Sequence, residues 1–435
     1  MWSLLGGYML LPSSLDVDLD LLPPLDKLGV TSLATLMLCW VYGSRVPRPR
    51  RSVLLYVLAG VLVLSPLLTS LNNSEELRAL KMSMPGFYPL TALKFCGRNL
   101  LMIVPMYIGS RFLSSERARA ELLKALPTAM VFYSLPMLFE IRMSPQLHRW
   151  VYGYFPHESF AQAIRGSGFR PVVFFPHPLV LALFTGMALL AALVLVRERQ
   201  RIVGQKPALV AAYLSGLLVL CKTLGAAIYA ILLAPLVLLT RPRTWVKVAC
   251  AVSLVACAYP LLRNNGLAPT QVVSQVASTV SADRLKSFQT RVENEDALLA
   301  KANEKPWFGW GGWGRNRIYD KWTGQDISVT DGGWIIVYGC WGWAGYLGLY
   351  GLLAFALFRA HRAVGKEITP ANLTRGGLAL LLAVCIVDSI PNSGSLSWVF
   401  VLAGSIASTA QARRKSPAPR KAVAERVAAP QMAGA

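Results

Sequence analysis

The sequence predicts an all-α fold: a polytopic membrane bundle of about 11–12 transmembrane helices with one large periplasmic loop that itself contains helix. Three observations carry that reading. The composition is 54% hydrophobic and only 15% charged, with a mean hydropathy of +0.46. Apolar stretches long enough to cross a bilayer recur along the chain. One long polar segment, residues 263–332, interrupts them.

Taken in order, the apolar stretches lie at about residues 28–43, 53–70, 98–113, 125–141, 172–196, 207–221, 223–240, 245–262, 333–358, 376–390 and 395–411. The N-terminal MWSLLGGYMLL is too short to span alone. It lacks a basic leader and a small-residue cleavage site, so it does not read as a signal peptide. Whether it joins a twelfth span stays open. The chain then divides into an N-terminal transmembrane bundle (1–262, with an outer loop at 142–171), the large loop (263–332), C-terminal transmembrane helices (333–411) and a basic tail (412–435). The tail's Ala, Pro and basic composition predicts disorder.

Orientation follows from basic residues in short loops, which favour the cytoplasmic side. Arg45, Arg48, Arg50 and Arg51 follow the first stretch, and Arg111, Arg117, Arg119 and Lys124 the third. Every second loop repeats the pattern, through Arg197–Lys206, Arg241–Lys247 and Arg359–Arg375 to the tail. These positions hold 25 of the 44 Lys and Arg, so topology and contact with anionic lipid account for most of the net charge of +22. Nucleic-acid binding is therefore not inferred from the basic pI. The loops at 71–97, 142–171 and 263–332 are then expected to face outward, away from the cytoplasm.

The seven cysteines all fall in or beside apolar stretches without paired spacing, and read as small buried hydrophobes. His148, His157 and His177 near the second outer loop match no ligand spacing, and the large loop has no Asp-x-Asp. Metal-independent chemistry without a cofactor is the expectation.

The large loop concentrates what remains. From Ser281, a plausible N-cap, Leu285, Phe288, Val292 and Leu299 recur at helical spacing. Arg284 and Arg291, seven apart, share a face of that helix. Pro306 ends it, and Gly309 and Gly311 predict a tight turn with exposed backbone N–H groups. Arg291 suits a phosphate, because a guanidinium can grip two oxygens at once; pairing with Glu293, Glu295 or Asp296 is the alternative. Seven of the twelve Trp lie between Trp307 and Trp343. Trp334, Trp341 and Trp343 read as an interfacial belt. Trp307, Trp310, Trp313 and Trp322 lie farther from the span and suit a sugar face or a docking protein. In the second outer loop, Arg142, Arg149, Arg165 and Arg170 oppose the positive-inside bias, which an anionic substrate would explain and plain solvation would also allow. Lys222, inside an apolar stretch, is either functional or a snorkelling turn residue.

Three stretches together resemble the O-antigen ligase and Wzy-type polymerase superfamily of bacterial polysaccharide glycosyltransferases: GFRPVVFFPHPLVLALF, LVLCKTLGAA, and Arg291 followed by PWFGWGGWG and an apolar helix. The resemblance covers about Gly166 to Gly348 and the span count. It implies a helical bundle that takes glycan from undecaprenyl pyrophosphate and passes it to an acceptor glycan or glycolipid, in O-antigen or exopolysaccharide synthesis, as ligase or polymerase. It also implies contact with membrane lipids and polysaccharide assembly proteins. By the same resemblance, Arg291 would bind donor pyrophosphate. Where the family turn usually carries Ser-Arg-Gly, this chain has Lys222-Thr223-Leu224-Gly225; where many members have His before the last helix, it has Asp331-Gly332-Gly333. Asp331 would then act as general base and Arg291 as the catalytic cation, with Lys222, Arg170, Arg284, Trp310 and Trp313 binding substrate. A lipid-linked oligosaccharide flippase and a non-enzymatic envelope assembly protein are the competing readings.

Overall fold

In the computed structural model of the chain, residues 1–17, 23, 25–43, 52–79, 82–157, 159–280, 282–394 and 396–408 are described. The tail at 412–435, Arg45, Arg48, Arg50, Arg51 and Ser281 lie outside the described residues. One helix occupies each of the eleven apolar stretches. These are α2 (Lys27–Tyr42), α3 (Val53–Ser70), α4 (Pro89–Phe112), α5 (Glu116–Met143), α7 (Pro178–Glu198), α8 (Pro207–Leu220), α9 (Leu224–Leu239), α10 (Pro242–Asn264), α13 (Gly333–Ala363), α14 (Pro370–Asp388) and α15 (Leu396–Ala407). Four others are α1 (Trp2–Leu10), α6 (Leu147–Tyr152), α11 (Thr270–Val280) and α12 (Ala282–Ala302).

Six of them, α3, α5, α7, α10, α13 and α14, are long and apolar enough to cross a membrane. The chain is thus a helical, multi-pass membrane protein by length and composition. The long α4 carries Lys94, Arg98 and Arg111, and α2, α8, α9 and α15 are short. The N-terminal segment is no span: α1 has nine residues and packs on α2, where Ser3 Oγ lies 2.8 Å from Thr35 Oγ1.

Of the six long apolar helices, α7 and α14 are the most buried, and the described side chains of α15 are buried throughout. Small residues set the closest crossings. A Cβ on Gly109 of α4 would lie 2.3 Å from Val401 O, and one on Gly404 of α15 would lie 2.0 Å from Met106 O. Apolar solvent gives no hydrophobic drive between such helices, so close backbone packing holds them.

Polar contacts gather at two ends. At one end, arginines donate to the last carbonyls of helices: Arg197 to Val237 and Thr240 at 2.7 and 2.8 Å, Arg119 to Ser405 at 3.0 Å, Arg359 to Ala407 at 2.7 Å and Arg375 to Ala363 at 3.2 Å. Helix C-termini carry partial negative charge and unpaired carbonyls, which these cations satisfy. The basic loops therefore have a structural task besides topology. At the opposite end lie the connections 71–88, 144–177, 221–223, 265–332 and 389–395. Their short antiparallel pairs are β1 (Asp16–Val17) with β2 (Leu25–Asp26), β3 (Leu77–Ala79) with β4 (Met82–Met84), and β5 (Ile164–Arg165) with β6 (Gly168–Phe169); β1 and β2 belong to the connection between α1 and α2.

Candidate active site

Arg291 lies in α12 and Asp331 two residues before α13, forty positions on, yet their side chains form an ion pair at 2.9 Å (Nε to Oδ2). Both are about two-fifths exposed, so the pair is accessible. The first turn of α13 is held in place by the α14–α15 connection: Gly333 N–H donates to Asn392 O and Trp334 N–H to Ser389 O, each at 3.2 Å. Glu293, Glu295 and Asp296 are not the partners of Arg291. Glu295 and Asp296 face Arg263 of α10, at 3.7 and 2.7 Å, and Glu295 also accepts the Trp334 indole N–H at 3.2 Å. Burial pushes the Glu295 carboxyl up, against the Trp334 hydrogen bond and Arg263. The side chain of Arg284 lies outside the described residues.

The second loop delivers Arg170 and two histidines, and the turn between α8 and α9 delivers Lys222. Arg170 is buried rather than facing solvent: its guanidinium donates to Gln162 O at 3.2 Å and Thr223 Oγ1 at 2.7 Å. Lys222 takes a left-handed conformation, φ 51°, in the tight turn between α8 and α9 that the sequence predicts. Its ammonium donates to Arg165 O at 3.3 Å, which clamps the β5–β6 hairpin over that turn. His177 caps α7. Its Nδ1 accepts the Leu179 N–H at 3.0 Å, so the neutral ring carries its proton on Nε2 and donates to Gln162 Oε1 at 2.7 Å. Burial, with His157, Arg170 and Arg291 nearby, pushes its pKa down to about 4. The His157 ring stands 4.9 Å away. His177 thereby fastens the second loop to the start of α7, a role its sequence spacing did not reveal; the signal was its place before Pro178, where a helix start needs a cap.

Two expectations for the Trp-rich loop are corrected. The glycine N–H groups of its turn are taken, Gly309 donating to Lys305 O at 2.9 Å. Trp310 and Gly311 N–H donate to Gly339 and Cys340 carbonyls of α13, both at 2.9 Å, while Trp343 and Ala344 of α13 donate to Pro306 and Trp307 at 2.8 and 3.0 Å. The turn is threaded into a break in α13 at Gly342 and completes the broken helix. Trp310 is likewise structural rather than a sugar platform: it is buried, donates to Lys301 O at 2.8 Å and lies under the ammonium groups of Lys301 and Lys305. Trp334, read as interfacial, is fully buried. Trp313 stays more than half exposed beside the Arg317 guanidinium, and Trp307 and Trp322 are exposed too.

Arg315, which drew no attention in the sequence, fastens this loop to its neighbour by donating to Trp310 O at 3.0 Å, Pro85 O at 2.8 Å and Glu75 O at 3.1 Å. Among the described residues, no three His, Cys, Asp or Glu side chains gather as a metal site would require. What the arrangement offers chemically is positive charge from two loops, an exposed Arg–Asp pair and an aromatic face. Compared with known proteins, the chain matches no family model and no curated protein.

Proposed function

We propose that this chain is a membrane glycosyltransferase that takes glycan from undecaprenyl pyrophosphate and transfers it to an acceptor glycan or glycolipid in cell-envelope polysaccharide synthesis. The observation that carries the reading is the meeting of Arg291 with Asp331 beside His177, whose neighbourhood also includes Arg170. That residues as far apart in sequence as 170, 291 and 331 come near one another supports a site for a diphosphate. In the reaction, the acceptor oxygen attacks the anomeric carbon and the bond from that carbon to pyrophosphate breaks. The leaving group departs with the electron pair, neutralised by Arg291, Arg170 and Lys222. Asp331 takes the hydroxyl proton once the phosphate draws Arg291 away. Trp313 offers its ring to a sugar face. Metal, nucleotide and nucleic acid have no part in this scheme.

A deletion strain tests the function. Accumulation of single repeat units on undecaprenyl pyrophosphate identifies a polymerase, and long lipid-linked chains lacking core attachment identify a ligase. An unchanged glycolipid profile rejects the proposal. The exposed Trp307, Trp313 and Trp322 also favour a second reading, in which the loop docks an envelope assembly protein. Under either reading the loop end faces the periplasm of the inner membrane. A cysteine at Gln325 should be labelled by an impermeant reagent in intact spheroplasts, and one at Gln200 should not; labelling at Gln200 alone reverses the orientation.

A further inference from the structure

A cavity of about 340 Å³ lies between α1 and α5, bounded by Leu5, Gly6, Met9, Phe132, Tyr133 and Phe174. Its walls are aliphatic and aromatic. The Tyr133 hydroxyl within them is occupied: it donates to Met9 O at 3.0 Å and accepts the Phe174 N–H at 3.1 Å. Phe132, at the mouth with Trp2 and Leu10, is 60% exposed. The opening therefore passes through the flank of α5, a helix apolar enough to cross a bilayer, and not through the charged loop end. An apolar cavity of this kind excludes water. A peptide segment would bury backbone N–H and C=O groups there without partners. The occupant that fits is a hydrocarbon chain.

The far wall points to which chain. Phe174 belongs to the loop that carries Arg170 four residues earlier and His177 three residues later. That loop is rigidly held. Glu140 of α5, fully buried, accepts N–H bonds from Val172 at 2.8 Å and Val173 at 2.7 Å, and the Lys27 ammonium donates to Phe174 O at 3.1 Å. Four extended residues reach at most about 14 Å. A molecule whose hydrocarbon lies against Phe174 therefore has its polar end within reach of the loop that carries Arg170 and His177. Gly6 widens the groove for a methyl-branched chain, since a Cβ there would meet nothing within 4 Å. Resting on the function proposed above, we infer that the α1–α5 groove is the binding site for the isoprenoid chain of the lipid-pyrophosphate donor.

The test uses the full chain in nanodiscs with two photoreactive probes, a polyisoprenyl pyrophosphate and a phosphatidylglycerol. The isoprenoid probe should crosslink to residues 2–10 and 129–136. Gly6→Leu, whose Cβ would meet nothing within 4 Å and whose side chain would take up space in the groove, should reduce that labelling at least tenfold and raise the KM for donor with little change in kcat. Gly60→Leu in α3, also free of neighbours within 4 Å, should change neither. Equal labelling by phosphatidylglycerol, labelling insensitive to Gly6→Leu, or isoprenoid labelling elsewhere overturns the inference. Turnover separates the two claims: wild-type turnover with labelling elsewhere rejects the groove alone. Neither turnover nor labelling rejects the function and the groove together, and labelling of the groove without turnover rejects only the transferase.

Discussion

Replacing Arg291 by lysine is expected to lower turnover about 30- to 1000-fold while the protein stays folded. The expected loss is about 2–4 kcal/mol of transition-state stabilisation, the range for removing one preorganised charge-assisted contact. Lysine keeps the charge but replaces a planar fork with a point donor, which cannot hold two phosphate oxygens in fixed geometry. Stability provides the contrast. The Arg291–Asp331 pair is about two-fifths exposed on both sides, and such pairs contribute roughly 0–1 kcal/mol. The thermal midpoint of the purified variant should therefore barely move. Asp331→Asn should keep donor binding and lower turnover. If both variants turn over at near wild-type rates, the pair is a structural bridge between α12 and the start of α13. The chemistry would then have to be sought at Arg170 and Glu293.

What the sequence disclosed and what it hid divide along a physical line. Spans were legible because a bilayer-scale apolar run is a local signal, and most helices sit within several residues of those runs; α4 and α5 each begin nine residues earlier, at Pro89 and Glu116. Local turn chemistry was legible too: Lys222 does occupy a tight turn between helices. Long-range pairing was not. No spacing rule connects Arg291 to Asp331, and nearer acids at 293, 295 and 296 looked like its natural partners. Trp310 misled for the same reason. Its composition-level signal, an indole in a glycine-rich polar loop, is identical for a sugar platform and for a plug beneath two lysines; only the fold of the loop onto α13 decides. The helix α11 went unseen because its β-branched, polar sequence TQVVSQVASTV has weak intrinsic helix preference.

Gly342→Ala is expected to destabilise the protein by about 3 kcal/mol or more and to release the Trp-rich loop. Two independent costs combine. Gly342 has φ 58° and ψ −159°, a region that residues with a Cβ essentially never occupy, at about 1–3 kcal/mol. A Cβ there would also lie 2.4 Å from Trp307 C, 2.5 Å from Phe308 N and 2.6 Å from Pro306 O, which are backbone atoms and cannot step aside. Relief requires the turn at 306–309 to withdraw. That strands the N–H groups of Trp343 and Ala344, whose acceptors are Pro306 O and Trp307 O, inside an apolar helix where each unpaired group costs several kcal/mol. The opposing Gly309, φ 69°, meets α13 the same way, its Cβ position 2.5 Å from Cys340 C and O, so Gly309→Ala should have a like effect and the pair should not be additive. Gly351→Ala, farther along α13 with only ordinary contact to Leu58 at 3.4 Å, is the control and should be neutral or slightly stabilising. Thermal unfolding in detergent and limited proteolysis between 303 and 332 give the readouts. Because that loop sets the path from Arg291 to Asp331, the released protein should lose turnover as well. An unchanged midpoint and a protease-resistant loop in Gly342→Ala would show that the turn does not complete the broken helix.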